Sequence, residues 1–277
     1  MEFPQTLRQT VEKYGLMAKK ALGQNFLLDQ NITEKIIRLS LEKQGLENFS
    51  NFDVLEIGPG PGGLTRAILQ KTPRTLTVVE MDERCIQIMQ ELNAFGLAKM
   101  NILNQDALKT SVQSLGLEHT QVVSNLPYNI SVPLLTGWLK EIEHIEALTL
   151  MFQKEVADRI CAVPQTKAYG RISVLAQLTC SVERLCTLNP ECFVPAPKIY
   201  STVLLFRPLK NQPNKNLLKR VEYLTGLAFS MRRKMLRQSL KSVPHIEQIC
   251  QTLHIEMSKR AEELLPEQYL QIAEQLS

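Results

Sequence analysis

The segment V-L-E-I-G-P-G-P-G-G-L-T (Val54–Thr65) restricts the possible folds more than any other stretch of this 277-residue chain. A short apolar run leads into Gly58, Gly60, Gly62 and Gly63, and residues at helical spacing (Leu64–Gln70) follow. Glycine there lets the backbone turn sharply and lets a ligand approach it closely. Gly58, Gly60 and Gly63 fit G-x-G-x-x-G, so a dinucleotide fold is a competitor, although the pattern alone is weak.

The surrounding pattern places that loop in a layered α/β domain. Val54–Ile57, Thr75–Glu80, Asn101–Gln105 and Val122–Asn125 read as strands, each ending at Gly, Asp or Asn. Leu64–Gln70 and Arg84–Phe95 read as helices between them. Strand and helix in alternation predict a parallel sheet covered on both faces. Further along, Pro133–Ile142 and Glu155–Ala162 read as helices, and Ala147–Phe152 and Ser201–Arg207 as strands. After Pro208 only helical spacing remains, at Leu217–Phe229, Arg233–Lys241, Ile246–Leu253 and Pro266–Gln275. A boundary is therefore placed near residue 210, giving an α/β domain over 1–210 and a small all-α domain over 211–277.

Three carboxylates narrow the loop's ligand. Glu56 stands two residues before the first glycine, a position usually apolar in dinucleotide folds but acidic in methyltransferases that use S-adenosylmethionine. Pro59 and Pro61 remove amide donors, which suits a ligand without a pyrophosphate. Glu80 ends the next strand, where a carboxylate accepts hydrogen bonds from ribose hydroxyls, and Asp106 follows a third strand, where an adenine amino group would lie.

Charge is unevenly spread. The net is +4, but residues 207–241 hold ten basic side chains against Glu222 alone. Such a block suggests a polyanion partner. The six cysteines contain no C-x-x-C pair and do not join the four histidines in metal-ligand spacing, so reduced thiols and no metal are expected. No apolar stretch approaches the roughly 18 residues that span a bilayer. The first twenty residues lack an apolar h-region, and a cytoplasmic monomer without membrane attachment is expected.

Ser124-Asn125-Leu126-Pro127-Tyr128 closes the fourth strand, at the sheet edge where chemistry sits in this architecture. The amino nitrogen of a nucleobase is a poor nucleophile because its lone pair is delocalised into the ring. The Asn125 side-chain oxygen and the Leu126 carbonyl, held by Pro127, could accept both amino hydrogens and aim that lone pair. Tyr128 offers a face for the base, worth roughly 1–3 kcal/mol of stacking.

N-L-P-Y joined to E-I-G-P-G-x-G-x-L-T resembles the ribosomal RNA adenine dimethyltransferase family. A-L-G-Q-N-F-L-L-D (Ala21–Asp29), F-V-P-A-P-K (Phe193–Lys198) and F-S-M-R-R-K-M-L-R-Q-S-L (Phe229–Leu240) resemble further family motifs. The resemblance implies a Rossmann-like S-adenosylmethionine-dependent methyltransferase fold with a small helical carboxy-terminal domain. It implies that Asn25, Leu27, Gly58, Glu80, Asp106 and Asn125 hold the methyl donor S-adenosyl-L-methionine. It assigns Asn125, Leu126, Pro127 and Tyr128 to the chemistry, and Phe193 to packing over a flipped adenine. The pattern is most similar to the bacterial small-subunit branch, which dimethylates two adjacent adenosines in a hairpin loop near the 3′ end of 16S rRNA, within the small subunit or its precursor. Ile199–Tyr200 departs mildly from the family motif. The alternatives are a 23S rRNA adenine methyltransferase of the macrolide-resistance type and a non-catalytic assembly or transcription factor on the same fold.

Overall fold

The computed structural model describes residues 3, 5–16 and 25–276. The chain opens with α1 (Leu7–Lys13), a two-residue strand β1 (Phe26–Leu27) and α2 (Gln30–Gln44). There follow β2 (Asp53–Ile57), α3 (Gly63–Leu69), β3 (Thr75–Glu80), α4 (Glu83–Asn93), β4 (Lys99–Asn104), β5 (Thr120–Asn125), α5 (Tyr128–Leu139) and β6 (Ile145–Gln153). Then come α6 (Lys154–Ile160), α7 (Arg171–Thr179), β7 (Cys180–Leu188), β8 (Phe193–Val194) and β9 (Ser201–Pro208). The last elements are α8 (Lys215–Ser230), α9 (Leu236–Ser239), α10 (Ile246–Thr252) and α11 (Pro266–Glu274).

Seven strands form one sheet in the order β4-β3-β2-β5-β6-β9-β7. β4, β3, β2, β5 and β6 run parallel, and β9 returns antiparallel to β6. The order reverses at β2, so the crevice beyond its carboxyl end lies between β3 and β5, where this architecture binds ligands. The central strands are apolar because helices cover both faces: all five residues of β2 are buried, Glu56 included.

Packing divides the chain into two compact units. One comprises Met1–Trp138, Glu143–Lys154 and Glu183–Phe206; the other comprises Leu139–Ile142, Glu155–Val182 and Arg207–Ser277. Residues 155–182 thus cluster with the carboxy-terminal helices, although the sequence places them before the boundary near 210. The cause is a buried aromatic cluster: Tyr169 is fully buried, donates to the Leu264 carbonyl at 3.0 Å and meets Phe229 edge-on. Tyr269 continues that cluster and donates to the Ala261 carbonyl at 2.7 Å.

Several elements differ from the sequence reading. Proline favours the first turn of a helix, so Pro133 marks an expected start; α5 instead begins at Tyr128 and carries Pro133 inside. β7 has a half-exposed pattern interrupted by Glu183 and Arg184, which hides its strand character. The basic helix expected over Arg233–Lys241 is shorter: residues 231–234 form a turn and α9 starts at Leu236.

Candidate active site

The pocket beyond the carboxyl ends of β2, β3 and β5 is assembled from four segments. They are the glycine loop with Glu56, the end of β3 at Glu80, Asn125–Tyr128, and Asn25–Leu27 beside the loop. Asn25, Leu27, Gly58, Glu80, Asn125, Leu126, Pro127 and Tyr128, all singled out from sequence, line it together.

The glycines differ in purpose. Gly58 and Gly60 have φ of +64° and +56°, in the left-handed region that favours glycine. Gly63 needs space instead: a Cβ there would lie 2.6 Å from the Leu27 carbonyl oxygen. The first turn of α3 therefore presses directly on β1, and the loop and the Asn25–Leu27 wall are held as one piece.

Two carboxyl groups face this space without a cation among the described lining residues. Glu56 is 1% exposed and accepts the Thr65 hydroxyl at 2.7 Å. Burial pushes its carboxyl up to about 8; the Thr65 bond opposes the rise and the Glu80 charge adds to it. Burial also raises the Glu80 carboxyl, against backbone N–H bonds from Asp82, Met81 and Gly60. Glu80 Oε1 accepts from Met81 N at 2.7 Å and Asp82 N at 2.9 Å, which fixes the side chain at the strand end. Raised carboxyls mark a site that lacks a compensating positive charge, which a cationic ligand supplies and a pyrophosphate does not. The arrangement fits S-adenosylmethionine, with its ammonium and sulfonium groups, and disfavours the dinucleotide alternative.

At the end of β5, Asn125 Nδ2 donates to the Asn25 carbonyl at 3.4 Å, which leaves Oδ1 without a partner among the described residues. Ser124 donates to the Ile57 carbonyl at 2.6 Å and ties this strand end to β2. Leu126 is buried; Pro127 accepts the Ile130 N–H at 3.1 Å, so the chain turns into α5. The Tyr128 hydroxyl pairs with Ser201 Oγ at 2.8 Å, which holds the ring from the start of β9.

Two expected site residues stand elsewhere. Phe193 is 2% exposed and packs in the core; on β8 it is the register partner of Leu27. Its ring backs the β1 wall and is not part of the pocket lining, because β8 pairs with β1 and turns that side chain inward. Asp106 lies just past β4 and caps a 3₁₀ turn by accepting Leu108 N at 2.9 Å; it is not among the lining residues. Residues 21–24 of the entry motif lie outside the described residues.

Sequence reading missed two supports. Ser201 carries no motif signal, since its partner Tyr128 is 73 residues away. Arg66, within α3, is 5% exposed and carries its guanidinium to the Gln5 carbonyl at 2.6 Å and Thr10 Oγ1 at 3.1 Å, with the Phe3 ring 5.0 Å away. A cation on the buried side of a helix was the available signal. Among the described residues, no group of three or more His, Cys, Asp or Glu could hold a metal ion, and no helix is long and apolar enough to cross a membrane.

The mostly parallel sheet, its switch point at β2 and the acidic glycine-loop pocket define an α/β Rossmann-like methyltransferase fold. The family model described as "Ribosomal RNA adenine dimethylase" matches residues 15–277, and the chain belongs to that family. It is 43% identical over 269 residues to "Ribosomal RNA small subunit methyltransferase A" of Gluconobacter oxydans, covering 97% of this chain and 86% of that one. A protein of the same name from Rhodospirillum rubrum is 41% identical over 268 residues, covering 96% and 91%. Among solved structures, a dimethyladenosine transferase from Plasmodium falciparum superposes with a TM-score of 0.70 at 25% identity, covering 88% of this chain and 94% of that one. The 23S rRNA methyltransferase ErmE gives 0.64 at 25% identity, covering 91% and 99%.

Proposed function

We propose that this protein dimethylates the exocyclic amino nitrogens of two adjacent adenosines near the 3′ end of 16S rRNA, with S-adenosylmethionine as methyl donor. The small ribosomal subunit or its precursor is the substrate, and a cytoplasmic monomer is the working form. The single observation that carries this reading is the pocket itself: Asn125 lines the same space as the buried Glu56 and the half-buried Glu80, with no cation among the described lining residues. The full-length similarity to small-subunit enzymes favours 16S over 23S rRNA.

When bound, S-adenosylmethionine supplies an electrophilic methyl group on a sulfonium centre. Glu80 would hold its ribose, Gly58 and the Asn25–Leu27 wall its amino-acid end, and Glu56, ionised by the nearby cation, would balance its positive charge. Asp106 would reach the adenine only through an approach to the pocket beyond its present cap. Asn125 Oδ1 and the Leu126 carbonyl accept the two hydrogens of the target amino group and turn its lone pair outward. Tyr128 stacks the base; Phe193 supports Leu27 from behind. After transfer one amino proton leaves to water, so no charged base is required.

The test uses purified protein, labelled methyl donor and small subunits lacking the modification, with primer extension across the 3′ region of 16S rRNA. Paired stops at adjacent adenosines are expected, and Asn125→Ala should retain RNA binding while single-turnover methylation falls by at least about 100-fold. Near-normal methylation by that variant would remove Asn125 from the chemistry. Stops confined to 23S rRNA would redirect the substrate.

A further inference from the structure

We propose that Tyr200 is a stacking platform for a base of the RNA substrate flanking the target adenosine, presented at the rim of the active-site pocket. This rests on the reading of that pocket as an adenosine-methylating site.

Residues 194–200 connect two walls of the pocket. At one end Val194 is the register partner of Phe26, a lining residue. At the other, Ser201 opens β9 and its hydroxyl holds Tyr128 at 2.8 Å. The Tyr200 carbonyl accepts the Lys154 N–H at 2.8 Å, so the backbone is fixed at the carboxyl end of β6. The ring is nevertheless 50% exposed. Within the described part of the sheet-containing unit the other exposed aromatic is Phe95, and Phe3 stands edge-on to it at 6.0 Å. Tyr200 has no such ring neighbour among the described residues. A pinned backbone with an open aromatic face loses little side-chain entropy when it is covered.

The surroundings select the occupant. Val194 and Ile199, on the same segment, are also exposed. Lys198 is exposed on the same loop, two residues before Tyr200. An exposed aromatic face on a loop that also carries an exposed lysine matches single-stranded RNA, whose bases stack while its phosphates meet cations. A target base that leaves its stack to reach Asn125 uncovers one face of its neighbour. Tyr200, one residue from the hydroxyl that positions Tyr128, is placed to cover that face.

The experiment compares wild type with Tyr200→Ala, Tyr200→Phe and Tyr200→Trp in methylation of small subunits lacking the modification, with donor affinity measured by calorimetry. Tyr200→Ala should raise KM for the subunit by about 5- to 150-fold, the range expected for a single base stack. Donor affinity and kcat should stay within about twofold, and the Phe and Trp variants should restore KM. An unchanged KM in the alanine variant overturns the proposal. So does a phenylalanine variant as impaired as alanine, which would make the hydroxyl the point of recognition, or a parallel drop in donor affinity, which would make the loop a support of the pocket. Wild-type protein inactive on these subunits would overturn the adenosine-methylating reading itself, and the two failures are distinguished by that control.

Discussion

Glu56 shows how a single buried residue sets the pH behaviour of the ligand-free protein. Its carboxyl titrates near 4.5 when unperturbed and near 8 in the folded chain, because burial penalises the charge. Between those values the native state retains a proton that the unfolded state has released, so stability falls as pH rises through the window. Glu80, also raised, acts in the same direction. Glu56→Gln keeps the shape without the titration. In ligand-free melts, the variant should gain on wild type between pH 5 and pH 8.5 by up to about 4 kcal/mol. A constant difference across that range would show that Glu56 is ionised throughout. Its role was only partly legible in sequence: its place before Gly58 marked a ligand class, but its isolation from any described cation is a property of packing.

At the level of elements, the tightest constraint is the approach of α3 to β1. The 2.6 Å separation between an added Cβ at Gly63 and the Leu27 carbonyl oxygen is backbone against backbone, so no side chain can move aside to relieve it. Gly63→Ala should destabilise the protein by about 1–3 kcal/mol, as overpacking does. By displacing Asn25–Leu27 it should also weaken donor binding. Thermal melting and calorimetry on the same preparation check both effects, and unchanged values would mean that β1 moves freely. The glycine spacing announced a close approach but not its partner, since Leu27 lies 36 residues earlier. Phe193 teaches the converse: its motif was recognisable, yet pairing of β8 with β1 turns the ring into the core.

Across the whole molecule, the basic block separates into structural and available charges. Arg232 bonds Glu262 at 2.5 Å and the Thr166 carbonyl at 3.1 Å, and Arg220 donates to the Ala273 and Leu276 carbonyls. These cations fasten the helical unit. Arg233, Lys234 and Arg237 are exposed, in the turn before α9 and on it. Reversing those three to Glu should leave donor affinity intact, because the donor pocket is built within the sheet-containing unit. Affinity for the small subunit should fall, and the slope of log affinity against log salt should lessen by about 0.7 for each phosphate no longer neutralised. Measurements at several salt concentrations decide; unchanged affinity and slope would place the RNA surface elsewhere.

Local sequence determined the strands, the glycine loop and the Asn125–Tyr128 turn, because alternation, glycine freedom and proline rigidity act over a few residues. It also determined the family, since motifs spread over most of the chain must coexist. Tertiary structure alone decided that α7 joins the carboxy-terminal helices, that Ser201 holds Tyr128 and that Arg66 is buried against Phe3, Gln5 and Thr10. Those outcomes depend on residues tens of positions apart meeting in space, where burial and hydrogen-bond satisfaction are settled by the assembled chain and leave no periodic trace in the sequence.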